Sequence, residues 1–258
     1  MTFENYKKWL KKVPVDVKIV FSGMVEPWLN KDCTKMLLYA YNQGYKKIGV
    51  FTTTMGMSLE DFRKIKKIPF TVFYVHLADA EGNTKIKVDE KYLKLLGEIK
   101  KSNIKNKKYM AMGKLHPKLK PLFSDIVEKV TMQTRAGNLD FLPQVHKNGP
   151  IQCCWPDGLK HNVLMPNGDI LLCCVDYHMK HVLGNLSRNS YASLFTSREF
   201  KRIVKALENK NRGDVICRRC EFATVNNNYN QKSLYRETLN YLHLTGKLSR
   251  IKSLLNNK

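Results

Sequence analysis

Apolar positions in the first half of the chain alternate between two rhythms. Thr2 stands as an N-cap before Phe3, Tyr6, Leu10 and Val13, whose spacing by threes and fours predicts a helix ended by Pro14. Val17, Ile19, Val20 and Phe21 then make a short apolar run, the mark of a buried strand, leading into the loop Ser22-Gly23-Met24-Val25-Glu26-Pro27. The pair of signals repeats. A helix capped by Asp32 turns Met36, Leu37, Ala40 and Tyr41 inward and stops at Gly44. A strand from Ile48 to Phe51 ends in Thr52, Thr53 and Thr54; a helix starts at Ser58, and a strand runs from Phe70 to Leu77. Tyr92, Leu95, Leu96 and Ile99 mark the next helix and Tyr109 to Met112 the next strand. Leu119, Leu122, Phe123, Ile126 and Val130 predict one more helix from about Pro117. Such alternation predicts βαβ units and a parallel sheet with all strand C-termini on one face. The loops at 22–27 and 52–54 would meet there, with His76 and Asp79 as lesser candidates on the same face.

The rhythm stops near residues 131–138, and the Pro- and Gly-bearing stretch from Leu142 to Pro150 reads as a linker, which puts a domain boundary at about residue 148. Beyond it, the segment from His161 to Cys174 reads as two apolar strands joined by Pro166-Asn167-Gly168-Asp169, and Asn-Gly is a strong hairpin signal. Gly184-Asn185-Leu186 reads as a turn, and a helix capped by Ser197 carries Phe200, Ile203, Val204 and Leu207. Asn226 to Asn228 read as a loop before a basic amphipathic helix from Lys232 to Leu255. The expected organisation is therefore 1–147, 148–225 and a basic helical tail over 226–258.

Composition narrows the classes. A hydrophobic fraction of 43% with charge interspersed describes a globular chain, and no apolar run approaches the roughly 18–20 residues that span a bilayer. The start of the chain is polar and amphipathic, unlike a signal peptide, so the expected location is cytoplasmic. A net charge of +23 admits nucleic acid or another polyanion as partner, but the lysines are spread over every segment, which favours a solvated basic surface.

Six of the seven cysteines fall between Cys153 and Cys220, as Cys153/Cys154, Cys173/Cys174 and the C-x-x-C of Cys217 and Cys220. Such clustering in a reducing compartment points to a metal and away from disulfides. Neighbours on a strand face opposite ways, so Cys173 and Cys174 do not both reach one centre. The most economical ligand set is Cys153, Cys173, Cys217 and Cys220, since the hairpin and the following helix return all three segments to one place. Four thiolates suit tetrahedral zinc or an iron–sulfur cluster equally well on spacing alone.

These residues also carry a resemblance. Cys153-x-x-Pro156, Gly168 with four residues before Cys173, Cys174-x-Asp176, Gly184-Asn185 and Cys217-x-x-Cys220 resemble the SPASM/twitch extension of radical S-adenosylmethionine enzymes. Upstream, Ser22-Gly23-Met24-Val25-Glu26-Pro27 resembles the Gly-Gly-Glu-Pro loop after the second strand of that family's (β/α)6 barrel. Arg135-Ala136-Gly137-Asn138 resembles the segment that leads from barrel to extension. The resemblance implies an α/β fold: a partial barrel without its first strand and cluster loop, then a small α+β SPASM/twitch domain with a β-hairpin. It implies one auxiliary [4Fe–4S] cluster, because no cysteine follows Cys220.

It further implies S-adenosylmethionine at Gly23, Met24, Glu26, Thr52 and Thr54, with Glu26 as the charged or orienting residue. Full-length relatives generate a 5′-deoxyadenosyl radical that modifies a peptide or sugar-like substrate, with flavodoxin or ferredoxin as reductant. Asp176 is the candidate proton acceptor near the auxiliary cluster, a turn-capping role being the alternative, and Trp155 and Tyr177 would shield the cluster from water. Two departures stand out. Met24-Val25 occupies the place of two small residues, and the family's C-x-x-x-C-x-x-C loop is absent, Cys33 being the one other cysteine. The reading is an N-terminally truncated member, with loss of the radical chemistry as its rival. A non-enzymatic four-cysteine metal scaffold, holding zinc or an iron–sulfur cluster, and a polyanion-binding protein are the alternatives from other classes.

Overall fold

A computed structural model describes residues 1–124, the backbone of 127–130, and residues 133–153, 159, 161–208 and 215–225. Cys154, Trp155 and the expected tail helix lie outside the described residues. The chain forms two compact units, 1–132 and 133–258.

The first unit alternates helix and strand. Helix α1 (Phe3–Leu10) begins where the Thr2 hydroxyl accepts from the Asn5 amide, and buries Tyr6, Trp9 and Leu10. Strand β1 is Ile19–Phe21, α2 Cys33–Asn42, β2 Ile48–Thr52, α3 Leu59–Ile65, β3 Val72–Leu77, α4 Glu90–Lys101 and β4 Lys107–Met112. The four-residue α5 (Lys120–Phe123) precedes β5 (Val127–Val130). Local chemistry sets the helix starts. Ser58 and Asp61 form a reciprocal capping box on α3, and the Asp89 side chain accepts from the Tyr92 amide on α4. Asp32 precedes α2 without a capping bond and pairs with Lys35 instead.

All five strands are parallel and lie in chain order, β1 to β5. That layout is a stretch of barrel wall, and among the described residues the first and last strands do not pair to close it. Alternation along β3 sends Phe73, Val75 and Leu77, each fully buried, to the helix-covered face, where Leu37, Phe62, Leu96 and Ile99 meet them in one core. Each such side chain contributes roughly 1.5–3 kcal/mol by leaving water. Tyr74 and His76 take the opposite face with Phe51, ring against ring.

One predicted element is overturned. The helix expected to carry Leu119 through Val130 ends at Phe123, and Val127–Val130 is a strand paired with β4. Five apolar residues fit a helical period, but a β-branched residue at each end of the last four and a free strand edge on β4 favour pairing.

The second unit begins at Gln133, upstream of the composition shift near 148, because the intervening chain is tied to it: the Lys147 amide donates to the Arg218 carbonyl at 2.8 Å. Strand β6 (Ile151–Cys153) pairs antiparallel with β10 (Ala223–Val225). The expected hairpin forms from β7 (Val163–Leu164) and β8 (Asp169–Leu171), and β9 (Val182–Asn185) adds a third strand where a turn was expected at Gly184. Helix α6 (Arg198–Glu208) starts where Ser197 accepts from the Phe200 amide, and buries Phe200, Ile203, Ala206 and Leu207.

Candidate metal centre

Three separate pieces of backbone carry the cysteines to one place. Pairing of β6 with β10 sets Cys153 opposite Ala223, whose amide donates to the Cys220 carbonyl at 3.2 Å. The C-x-x-C itself is a turn, with Cys217 inside the 3-10 helix Ile216–Arg219 and the Cys220 amide donating to the Cys217 carbonyl at 3.3 Å. Cys173 lies in the turn that follows β8, not on the strand, so the face-alternation argument for separating it from Cys174 does not apply. The separation comes from the turn. Cys153, Cys173, Cys217 and Cys220 line one cavity, whereas Cys174 is absent from its wall and has Arg135 as an electrostatic neighbour.

The rest of the wall is apolar, formed by Leu159, Leu172, Val175, Leu207, Ile216 and Ala223, with His161 as the polar exception. Burial pushes the Cys217 thiol up to about 12 and the Cys220 thiol up to about 11, and Cys153 adds to both. The Cys173 thiol donates to the Cys174 sulfur, which raises Cys173 and lowers Cys174. A metal taken up here must therefore displace protons from its ligands, and the apolar wall would make the thiolates costly without it. Among the described residues, no three His, Cys, Asp or Glu side chains converge as the ligands of a single ion. The four sulfurs are instead distributed around a shared wall. A four-thiolate, water-poor pocket fits an iron–sulfur cluster by the chemistry of its donors.

The ligand turns are held from behind. Arg135, Ala136 and Gly137 all have positive φ, of 55°, 56° and 77°. Successive amides in such a bend converge on an anion, and here the Glu221 carboxylate fills it, accepting from the Thr134 and Ala136 amides beside Cys220. Burial opposes ionisation of Glu221, but these hydrogen bonds outweigh it and hold its carboxyl below the usual range. Asn138 reaches the Val175 carbonyl at 3.0 Å, next to Cys174. The segment 135–138 thus grips both cysteine turns. Arg218, only 6% exposed, donates to the Lys147, Gly149 and Ala206 carbonyls, and the Lys147 ammonium reaches the Cys220 carbonyl at 2.6 Å. Asp176 is fully buried and accepts from the Lys180 and His181 amides, so its carboxylate braces the turn after Cys173. Arg135 stacks over the Tyr177 ring at 5.6 Å.

Sequence reading passed over Glu221, Arg218 and His181. Glu221 and Arg218 at least adjoin or interrupt the C-x-x-C; nothing local marks His181.

In the first unit, the loops after β1 and β2 do meet. Glu26 Oε1 accepts from the Trp28 amide and the Thr52 hydroxyl, and Oε2 from the Thr53 amide and hydroxyl, at 2.6–3.2 Å. A carboxylate has about four acceptor sites, and the protein fills them. Glu26 is therefore a brace between loops. Thr52, 2% exposed, is part of the brace, its hydroxyl also accepting from the Thr54 amide at 2.7 Å. Thr54 differs: φ is 62°, unusual for a β-branched residue, and its buried hydroxyl has no hydrogen-bond partner among the described residues. Gly23, at φ 129°, has open space where a side chain would be, and Met24 is half-buried. Cys33, the one cysteine of the first unit, is 2% exposed in its core. Asp79 is consumed by the Asn83 and Thr84 amides and side chains.

Comparisons with known proteins agree with this geometry. Residues 153–221 match the sequence model of SPASM, an iron–sulfur cluster-binding domain. No curated protein matches the chain by sequence. Among solved structures, BtrN in complex with AdoMet and 2-DOIA superposes with a TM-score of 0.60 at 16% identity, over 90% of this chain and 85% of that one. Native anSMEcpe with bound AdoMet and Kp18Cys peptide gives 0.57 at 14% identity, over 100% of this chain and 91% of that one. Residues 153–221 thus form a SPASM-type domain, and the chain shares the fold of the BtrN and anSMEcpe structures. No helix among the described residues is long and apolar enough to cross a membrane.

Proposed function

We propose that this chain is a radical S-adenosylmethionine/SPASM-type protein that holds one auxiliary [4Fe–4S] cluster on Cys153, Cys173, Cys217 and Cys220. The observation that carries the reading is that four cysteines from three chain segments line one apolar cavity within the residues that match SPASM. Such a cluster supplies one-electron transfer at a potential tuned by burial and by hydrogen bonds to its sulfurs. The chain's own part is to exclude water with Leu159, Leu172, Val175 and Ile216 and to hold the ligand turns through Glu221, Arg218 and Asp176.

S-adenosylmethionine is assigned to the loops after β1 and β2. Its support is the unpartnered Thr54 hydroxyl beside the loops that Glu26 ties together, along with AdoMet in the BtrN and anSMEcpe structures. The substrate class, a peptide or a sugar-like molecule, follows from the Kp18Cys peptide and 2-DOIA found there. Flavodoxin or ferredoxin as reductant and a cytoplasmic setting belong to the same reading. The residues of this chain do not fit a second, radical-generating cluster, since Cys33 is buried and has no other cysteine in its unit.

The test is anaerobic reconstitution of the full chain, followed by iron, sulfide and zinc analysis and AdoMet calorimetry. Iron and sulfide at about four each per chain, with AdoMet binding, is the expected result. A colourless protein with stoichiometric zinc would overturn the cluster assignment and leave the four-cysteine zinc scaffold.

A further inference from the structure

His181 is 3% exposed, and it touches both turns that carry Cys173 and Cys217. Its backbone closes the turn that bears Cys173: the Leu172 amide donates to the His181 carbonyl at 2.9 Å, and the His181 amide donates to Asp176 Oδ2 at 2.8 Å. Its ring reaches the other ligand turn, where the Ile216 amide donates to Nε2 at 3.3 Å. Ile216 opens the 3-10 turn that holds Cys217, and its N–H belongs to the set that a helix start leaves without an internal partner. On the far side Nδ1 lies 2.9 Å from Glu199 Oε1 on α6.

These contacts assign the tautomer. A neutral ring with Nε2 accepting from Ile216 carries its proton on Nδ1, so Nδ1–H donates to Glu199. The 3.2 Å approach of Arg202 Nη2 to Nδ1 then adds no bond to the ring, because Nδ1 carries its hydrogen and a guanidinium only donates.

We infer that His181 is a positioning residue that sets the separation of Cys173 from Cys217, gripping one turn by its backbone and the other by its ring, with Glu199 fixing the ring. The inference rests on reading these cysteines as cluster ligands. It predicts more than support of the fold. Loss of the ring nitrogens lets the Ile216–Arg219 turn shift against Cys173 and frees an N–H beside the cluster, and both changes act on the cluster's potential.

The test uses the full, cluster-loaded chain with His181→Phe, which keeps a ring and removes both nitrogens, and His181→Gln, which keeps an acceptor within reach of Ile216. Iron release to a chelator is expected to accelerate roughly tenfold in H181F and to return most of the way in H181Q, as one buried hydrogen bond is lost or retained. The reduction potential is expected to move in H181F and to stay near wild type in H181Q. Wild-type release and potential in H181F overturn the inference, as does a defect in H181Q equal to that of H181F. Should H181F not fold, Glu199→Leu decides: faster release supports the role and unchanged release overturns it. If the wild-type chain takes no iron–sulfur cluster, the cluster reading fails by itself. Amide hydrogen exchange of residues 216–220 in the metal-free chain then judges His181, faster exchange in H181F supporting it and unchanged exchange overturning it.

Discussion

Cys173 and Cys174 stand in different surroundings, and this gives the sharpest prediction at the scale of residues. Cys173 lines the shared cavity, and Cys174 does not. Cys173→Ala and Cys217→Ala are expected to lose most of the bound iron while Cys174→Ala keeps most of it, read by iron content after reconstitution. Thr54 offers a test that separates binding from stability. Its buried hydroxyl has no partner among the described residues, so Thr54→Val removes an unsatisfied group and should leave the melting temperature unchanged or higher. The same change is expected to weaken AdoMet several-fold by calorimetry, if the hydroxyl serves the ligand. Gly56 is a position that no motif singled out. At φ 81°, a side chain there would meet the Trp28 carbonyl oxygen at 2.5 Å, backbone that has no room to yield. Gly56→Ala is expected to cost about 1–3 kcal/mol in urea unfolding. Gly49→Ala should cost less, because Gly49 is not in the left-handed region and its 2.9 Å neighbour is a Val72 methyl and not backbone.

At the scale of elements, α6 is the support on which the ligand turns rest, and its first turn is tuned by charge. Arg202 and then His181 hold the Glu199 carboxyl down at about 2, against burial, which works to raise it. A carboxyl depressed in the folded state contributes stability above its unfolded value of 4.5 and loses it as pH falls from there toward about 2. Acid unfolding of the metal-free chain, followed by circular dichroism, is therefore expected to be less steep over that window in Glu199→Gln than in wild type. Elements differ in how far local pattern specifies them. The box of Ser58 and Asp61, the Asp89 cap and the hairpin turn at Asn167-Gly168 are local chemistry, and each forms where the residues place it. Residues 127–130 and 182–185 are strands by virtue of their neighbours, since a helical period or a Gly-Asn turn signal describes them equally well in isolation.

For the whole molecule, the +23 charge and the cysteine cluster lead to different experiments. A solvated basic surface predicts that heparin binding falls away as salt rises with no effect on iron content. A polyanion-binding function instead requires tight binding that persists to physiological salt. What the sequence determined by itself was the class of fold and the kind of chemistry. Alternating apolar rhythms need only local geometry to be read, and clustered thiols are too rare a pattern to mean much besides a metal. The ties that give the site its shape were decided by tertiary structure alone. Glu221 is 85 residues from Ala136, in the bend it fills, and His181 is 35 residues from Ile216. No period or spacing encodes such pairs; they exist because the chain returns, and because a buried amide or carboxylate left without a partner is too costly to keep.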